Sequence, residues 1–263
     1  MNIEYSFIIP VFNRPQEISE LLGSFHNMHF GKNYEVVIIE DGSTNSSKEI
    51  VEKYNSKLNI LYLQKENTGP GDSRNYGMHH ASGNYFIILD SDVLLPKEYL
   101  LAVDKFLTNN YVDCFGGPDN AKSNFSPIQK AINNVMTSFL TTGGIRGKSK
   151  TIKSYEPRSF NMGLSKKAFL ATKGFGNIHP GEDPELVIKL KRLNFKIDFI
   201  ENAFVYHKRR IDWDKFYQQV NKFGKVRPIL NKRYPESKSI VFWFPSLFVI
   251  GFLISILFAV FFK

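Results

Sequence analysis

The sequence predicts an α/β domain on a mainly parallel sheet, followed by a basic amphipathic helix and one apolar C-terminal helix. Three observations carry that prediction. Short apolar runs of strand length alternate with segments of helical period through the first third of the chain. Each run ends in a polar cluster, and an uncharged stretch, residues 240–262, closes the sequence. A length of 263 residues with 43% hydrophobic content suits one such domain plus an appendage and excludes a disordered chain.

The elements follow in order. Residues 5–9 read as a buried strand ended by Pro10, and residues 16–25 as a helix with Pro15 at its start and Ile18, Leu21, Leu22 and Phe25 on one face. Residues 35–39 form a second strand, turned by Asp41-Gly42-Ser43 into a polar helix over 46–54, and residues 60–63 a third strand. A helix over 72–81, capped by Asp72, leads to a fourth strand at 85–89 that runs into Asp90-Ser91-Asp92. The pattern weakens over 118–155, where Gly143, Gly144 and Gly147 mark an acceptor-facing or mobile segment. Regularity returns with a strand at 161–164, a helix from Lys166, and a helix from Pro184 capped by Asp183. Short strands at 196–200 and 203–206 precede a basic helix over 214–230.

The net charge of +9 is concentrated. Between His207 and Lys238, ten basic residues stand against three acids, so this stretch holds +7 of it. A basic segment beside an apolar tail points to a membrane with anionic lipids rather than to nucleic acid. The tail has the ~20 apolar residues that a bilayer-spanning helix needs. Trp243 is placed as an interfacial anchor, Pro245 sits where a first turn tolerates it, and Lys263 closes the far end. Basic residues on its N-terminal side predict a single-pass inner-membrane protein with a cytoplasmic main domain, and residues 1–4 show no export signal. The single cysteine, Cys114, excludes an intrachain disulfide and fits a reducing compartment.

In a parallel sheet, ligands bind beyond the carboxyl ends of the strands. Those ends carry residues 10–14, Glu40-Asp41, residues 67–71 and Asp90-Asp92. Two carboxylates one residue apart can share a hard divalent cation, Mn2+ or Mg2+. A bare D-x-D is more often a polar turn, and its weight here comes from the other clusters on the same edge. Taken singly, Asp41-Gly42 is a tight turn, Pro10 a strand terminator, Arg14 a surface charge and Asp183 a helix cap. His26, His29, His79, His80 and His179 show no metal-cluster spacing.

The runs SFIIPVFNR, IIEDGSTN, ENTGPGDSRNYG and NYFIILDSD, in that order, resemble the nucleotide-binding half of family 2 glycosyltransferases with the GT-A fold. NMGLSKKAF, GFG, GEDPELVIKLKRLNFKI and AFVYHKRR are similar to the acceptor half, and the resemblance spans residues 5–210. It implies a Rossmann-like sheet with a nucleotide-sugar half over 1–92 and an acceptor half over 93–210, leaving 211–239 as a juxtamembrane helix and 240–262 as a transmembrane helix. It also implies roles. Pro10, Val11 and Asn13 line the base, Asp41 with Glu40 meets the nucleobase, and Arg14, Asn67, Gly69, Arg74, Asp90 and Ser91 serve the nucleotide sugar. Asp90, Asp92 and His207 hold the divalent metal. Glu182 and Gly163 face the acceptor, and Asp183 is the catalytic base. Glu40 departs mildly from the pattern, since many relatives carry a second aspartate there.

The implied reaction is inverting transfer from a UDP- or GDP-sugar to a hydroxyl of a glycan or lipid-linked acceptor, in cell-surface polysaccharide or glycolipid synthesis. A polyprenyl-phosphate sugar synthase and a non-catalytic nucleotide-sugar or membrane-binding protein are the alternatives. The presence of both Asp92 and Asp183 speaks against the second. A nucleotidyltransferase would carry a glycine-rich basic loop after the first strand, which PVFNRPQE lacks, and no carboxylate pair is spaced for glycoside hydrolysis.

Overall fold

The computed structural model describes residues 2–120, 126–137, 155–208 and 213–261. Gly143, Gly144, Gly147 and Lys263, together with Arg209 and Arg210 of the basic segment, lie outside the described residues. Four strands expected from the apolar runs form one half of the main sheet: β1 (Tyr5–Val11), β2 (Tyr34–Asp41), β3 (Ile60–Lys65) and β4 (Tyr85–Leu89). With β6 (Cys114–Gly116), β8 (Asn161–Ser165) and β9 (Ile197–Phe199) they make a seven-stranded sheet in the order β3-β2-β1-β4-β8-β6-β9. Only β8 opposes its neighbours, β4 and β6. Its reversal brings its N-terminal end to the edge where the parallel strands finish, with Asn161 opposite Leu89. A small second sheet, β5 (Val93–Leu94), β10 (Val205–His207) and β7 (Asp119–Asn120), sits beyond that edge.

Helices cover both faces because strand side chains alternate. Phe7, Ile9 and Val11 of β1 join one core with α1 (Pro15–His26) and α4 (Tyr99–Asn109), while Ile8 joins the other with α3 (Pro70–His80), α6 (Lys166–Thr172) and α7 (Glu182–Arg192). Each such apolar side chain fully buried contributes about 1.5–3 kcal/mol. The remaining helices of this part among the described residues are the short α2 (Lys48–Glu52) and α5 (Pro127–Thr137).

Three expectations need correction. β1 does not stop at Pro10 but continues to Val11, with Pro10 opposite Ile39 of β2. Pairing with β4 ends at Ile8, so on that side the proline's missing N–H costs no ladder bond. Helix α3 begins at Pro70 behind Gly69, whose φ of 93° lies in the region glycine adopts freely, so Asp72 is a first-turn residue and not the cap. Likewise α7 begins at Glu182 behind Gly181, and Asp183 lies inside the helix without capping it.

The C-terminal part consists of α8 (Trp213–Arg233), 3-10 turns at Pro235–Ser237 and Ile240–Trp243, and α9 (Phe244–Phe261). The distal half of α8 packs on α7. Val226, Leu230 and Tyr234 are buried against Ile178 and Ile188, and Tyr234 donates to the buried Glu185 carboxylate at 2.8 Å. The apolar helix is shorter than the uncharged stretch, because residues 240–243 form a 3-10 turn. Its 18 residues average a hydropathy of 2.5, none of them buried, and it alone among the described helices is long and apolar enough to cross a membrane.

Candidate active site

The four strand-end clusters do converge. At the β2 end, Asp41 is held by Lys65 Nζ at 2.7 Å and by the backbone N–H groups of Thr68 and Gly69 at 3.0 Å. Burial works against its charge, but the lysine and those hydrogen bonds outweigh it and keep the carboxyl below the usual aspartate range. Asn67 donates to the Asp41 carbonyl at 2.9 Å, and Gly42 permits this closeness, since a β-carbon there would fall 2.6 Å from Asn67 N. Asn13, just past Val11, accepts from Asn45 N at 2.8 Å and Thr44 Oγ1 at 3.1 Å, tying the loop after β1 to the loop after β2. Glu40 does not share the pocket with Asp41. Alternation along β2 turns its buried side chain to the other face, where it accepts from Ser47 N and Tyr62 Oη, each at 2.8 Å.

Asp90-Ser91-Asp92 follows β4 directly. β5 begins one residue later and pairs antiparallel with β10, setting His207 opposite Val93 and beside Asp92. His207 Nε2 lies 3.2 Å from Asp92 Oδ1, and ligand atoms of Asp90, Asp92 and His207 all fall within 4.8 Å of one another. Two carboxylates and an imidazole are a donor set that suits Mn2+ or Mg2+. The Phe160 ring stacks on His207 with centroids 5.0 Å apart. Arg14 binds both Glu17 oxygens, at 2.7 and 2.8 Å, and lies 3.7 Å from Asp92. Ser91 Oγ donates to Glu17 at 2.9 Å. Arg14 and Ser91 thus belong to the wall around the acidic cluster.

Arg74 connects the two halves. From the first turns of α3 it donates to Asp90 Oδ1 at 2.8 Å and to Glu182 Oε1 at 3.4 Å, with its guanidinium 5.3 Å from the Phe175 ring centroid. Burial works against its charge, and Asp90, Asp183 and Glu182 together overcome that. Glu182 is also opposed by burial, but His179, Arg74 and the Gly181 N–H bring it down to about 2.

Its neighbour Asp183 goes the other way. Burial raises its carboxyl above the aspartate range, despite the opposing pull of Arg74. One oxygen, Oδ2, accepts from Ser159 N at 3.1 Å and Ser159 Oγ at 3.2 Å. The other, Oδ1, is buried and has no hydrogen-bond partner among the described residues. Two adjacent carboxylates therefore have opposite tendencies, one fixed as an anion and one biased toward taking a proton.

Gly163 is not at this site. It lies mid-strand in β8, where a β-carbon would come 2.0 Å from the Phe115 ring, so its smallness serves sheet packing. Sequence reasoning missed Glu17, Lys65, Ser159 and His179. The only local signal for His179 was its place three residues before Glu182, and Ser159 reaches the site because β8 is reversed.

The profile of glycosyl transferase family 2 matches residues 6–170, more than half of the chain. The chain belongs to that family. It is 37% identical over 114 residues to the poly(ribitol-phosphate) β-N-acetylglucosaminyltransferase TarS of Staphylococcus aureus, covering 42% of this chain and 20% of TarS. It is 35% identical over 115 residues to the poly(ribitol-phosphate) β-glucosyltransferase of Bacillus spizizenii, covering 42% of this chain and 18% of that one. The match thus spans about a fifth of the length of these curated relatives. Among solved structures, S. aureus TarS 1-349 in complex with UDP-GlcNAc superposes with a TM-score of 0.61 at 23% identity, over 87% of this chain and 67% of that one. The mannosyltransferase PcManGT of Pyrobaculum calidifontis, in complex with GDP-Man and Mn2+, gives 0.68 at 14% identity, over 96% and 70%. These likenesses establish the GT-A-like fold.

Proposed function

We propose that this enzyme transfers a sugar, with inversion, from a nucleotide diphosphate to a hydroxyl of a cell-surface glycan or its lipid-linked precursor. The observation that carries the reading is the buried Oδ1 of Asp183, without a partner among the described residues, joined through Glu182 and Arg74 to Asp90. A UDP-sugar donor is favoured by the solved TarS complex with UDP-GlcNAc, and the relatives' names give poly(ribitol-phosphate) with N-acetylglucosamine or glucose as the sugar.

The residues divide the work. Asp41, Asn67 and the loop carrying Asn13 border the base-binding end, where the Asp41 carboxylate, held by Lys65 and the Thr68 and Gly69 N–H groups, is an acceptor for an imide N–H. Asp90, Asp92 and His207 would hold the divalent metal, which when bound neutralises charge on the diphosphate. Arg74 keeps Asp90 and Glu182 in fixed relation across the two halves. Asp183 Oδ1 accepts the acceptor hydroxyl's proton as that oxygen bonds to the anomeric carbon. The bond from that carbon to the diphosphate oxygen breaks, and its electron pair leaves with the diphosphate. A single displacement of this kind inverts the anomeric centre. The exposed apolar α9 supports a membrane-anchored setting, with the basic segment on the cytoplasmic side.

A donor panel tests the reading. Hydrolysis of one UDP- or GDP-sugar, stimulated by Mn2+, is expected, and no binding of any donor together with no effect of Mn2+ would overturn it. Asp183→Asn is expected to bind donor normally and lose transfer by roughly 100- to 10,000-fold. Retained transfer would favour a lipid-phosphate acceptor, which needs no strong base.

A further inference from the structure

We infer that α8 is an interfacial helix whose outer face lies in the headgroup layer of an anionic bilayer while its inner face holds the catalytic helix α7. The inference rests on reading α9 as a membrane span, and its test separates the two.

The helix has two apolar faces where a soluble helix has one. The inner face is occupied: Val226 and Leu230 are buried with Ile178 and Ile188, and Gly181 leaves the room, since a β-carbon there would sit 2.5 Å from Val226 Cγ1. On the outer face Trp213, Tyr217 and Val220 recur at positions i, i+4 and i+7, and they are 63%, 70% and 46% exposed. Gly224 continues the stripe, and a β-carbon on it would meet nothing within 4 Å.

Three features identify the occupant as lipid. Tryptophan and tyrosine on one bare stripe are the side chains that favour the boundary between apolar and aqueous layers. Lys222, Lys225 and Lys232 are exposed on the same helix, whose sequence contains one acid, Asp214, so its surroundings are cationic. The helix is also physically joined to the start of the apolar segment. The Arg227 guanidinium lies over the Phe242 ring, 3.3 Å from its centroid, and donates to the Ser237 carbonyl at 3.0 Å. An α9 inserted in a bilayer therefore brings α8 to the surface of that bilayer. Because α7 carries Glu182 and Asp183, the acceptor side of the active site is then held close to the membrane, where a lipid-linked acceptor would present itself.

The chain has two tryptophans, Trp213 on α8 and Trp243 just before α9, which gives a test in the full-length protein. Trp243→Phe leaves Trp213 as sole reporter, and Trp213→Phe leaves Trp243. Each variant is reconstituted into nanodiscs of phosphatidylcholine, with or without phosphatidylglycerol, carrying quenchers at shallow or deep positions. The expected result is that Trp213 is quenched by shallow lipid-attached groups and loses quenching by aqueous iodide, more strongly with phosphatidylglycerol. If Trp243 meets the lipid quenchers while Trp213 stays iodide-accessible, the span stands and the interfacial helix is refuted. If Trp213 is shielded from iodide but reached by no lipid quencher, its stripe is covered by protein, such as a second copy, and the inference also fails. If neither tryptophan meets lipid, both readings fall.

Discussion

Arg74 and Asp90 form a 2.8 Å ion pair in which the arginine side chain is only 5% exposed and the aspartate 34%. The pair joins a helix that follows β3 to the loop that follows β4, and the same guanidinium continues to Glu182 across the domain. A planar fork with several donors can serve two carboxylates at once, whereas an ammonium group offers a single point of charge.

Arg74→Lys should therefore fold and still fail. Removing one partner of a buried pair costs about 3–5 kcal/mol, so Arg74→Ala is expected to lower unfolding free energy on that scale. The lysine variant keeps a charge and much of the stability, while transfer falls roughly 100-fold, the usual effect of losing one aligned donor at a reacting centre. Urea unfolding read beside initial rates checks both, and wild-type transfer by the lysine variant would show that the bridge is dispensable.

The acidic cluster predicts a metal requirement with a particular residue dependence. Chelation is expected to abolish transfer, and added Mn2+ or Mg2+ to restore it. Asp92→Asn should raise the Mn2+ concentration for half-maximal rate by at least 10- to 100-fold, a range that even loss of a ligand's hydrogen-bond partner can produce. His207→Ala should act in the same direction, because the β5–β10 pairing sets His207 beside Asp92. Titrating Mn2+ against initial rate measures it, and an unchanged midpoint in both variants would remove these residues from the metal site.

The seam between α7 and α8 makes a separate prediction about stability. Glu185 is 2% exposed and accepts from Tyr234 Oη at 2.8 Å and Arg233 Nη1 at 3.1 Å. A hydrogen bond to a charged group is worth about 1.5–3 kcal/mol, so Tyr234→Phe should destabilise by that order. Hydrogen exchange should show the loss concentrated in α7 and the distal half of α8. Uniform loss across the sheet would mean that the seam does not fix α7 locally.

Much of this was legible in the chain because β1 to β4 are short apolar runs, each ending where a polar cluster begins. Asp41, residues 67–71 and Asp90-Asp92 could thus be placed on one edge from the sequence alone, and Arg74 followed from the family resemblance. The helix starts were harder to place. Asp72 and Asp183 are good capping residues by type, yet Gly69 and Gly181 occupy the caps, Gly69 with a φ of 93° and Gly181 where a β-carbon would meet Val226 at 2.5 Å. The reversal of β8 has no signature in its own residues, since a period of two is the same in either direction, and Ser159 was missed with it. Glu40 was readable in principle: a strand places adjacent residues on opposite faces, so Glu40 and Asp41 could not share one pocket. The Glu185–Tyr234 contact spans 49 residues with no periodic pattern to announce it.

The opposed tendencies of Glu182 and Asp183 set the pH behaviour. A base works deprotonated, so kcat/KM should be level at high pH and fall tenfold per pH unit below the Asp183 pKa. Burial raises that pKa, so the fall should begin above the ordinary aspartate value of about 3.9. Stability follows different signs. Glu182, lowered from 4.5 to about 2, contributes stability that is present above the unfolded value and lost as pH falls toward 2. Asp183, raised in the folded state, contributes stability that is present below its unfolded value and lost as pH rises through its folded value. Activity should therefore decline on acidification while Glu182 still supports the fold. Ser159→Ala removes the Oγ donor to the Asp183 carboxylate, and with it a hydrogen bond to the charged form, so the acidic limb should move to higher pH. Rate profiles of wild type and Ser159→Ala, with circular dichroism at each pH, measure the displacement. A limb that stays in place or moves down would mean that a group other than Asp183 takes the proton.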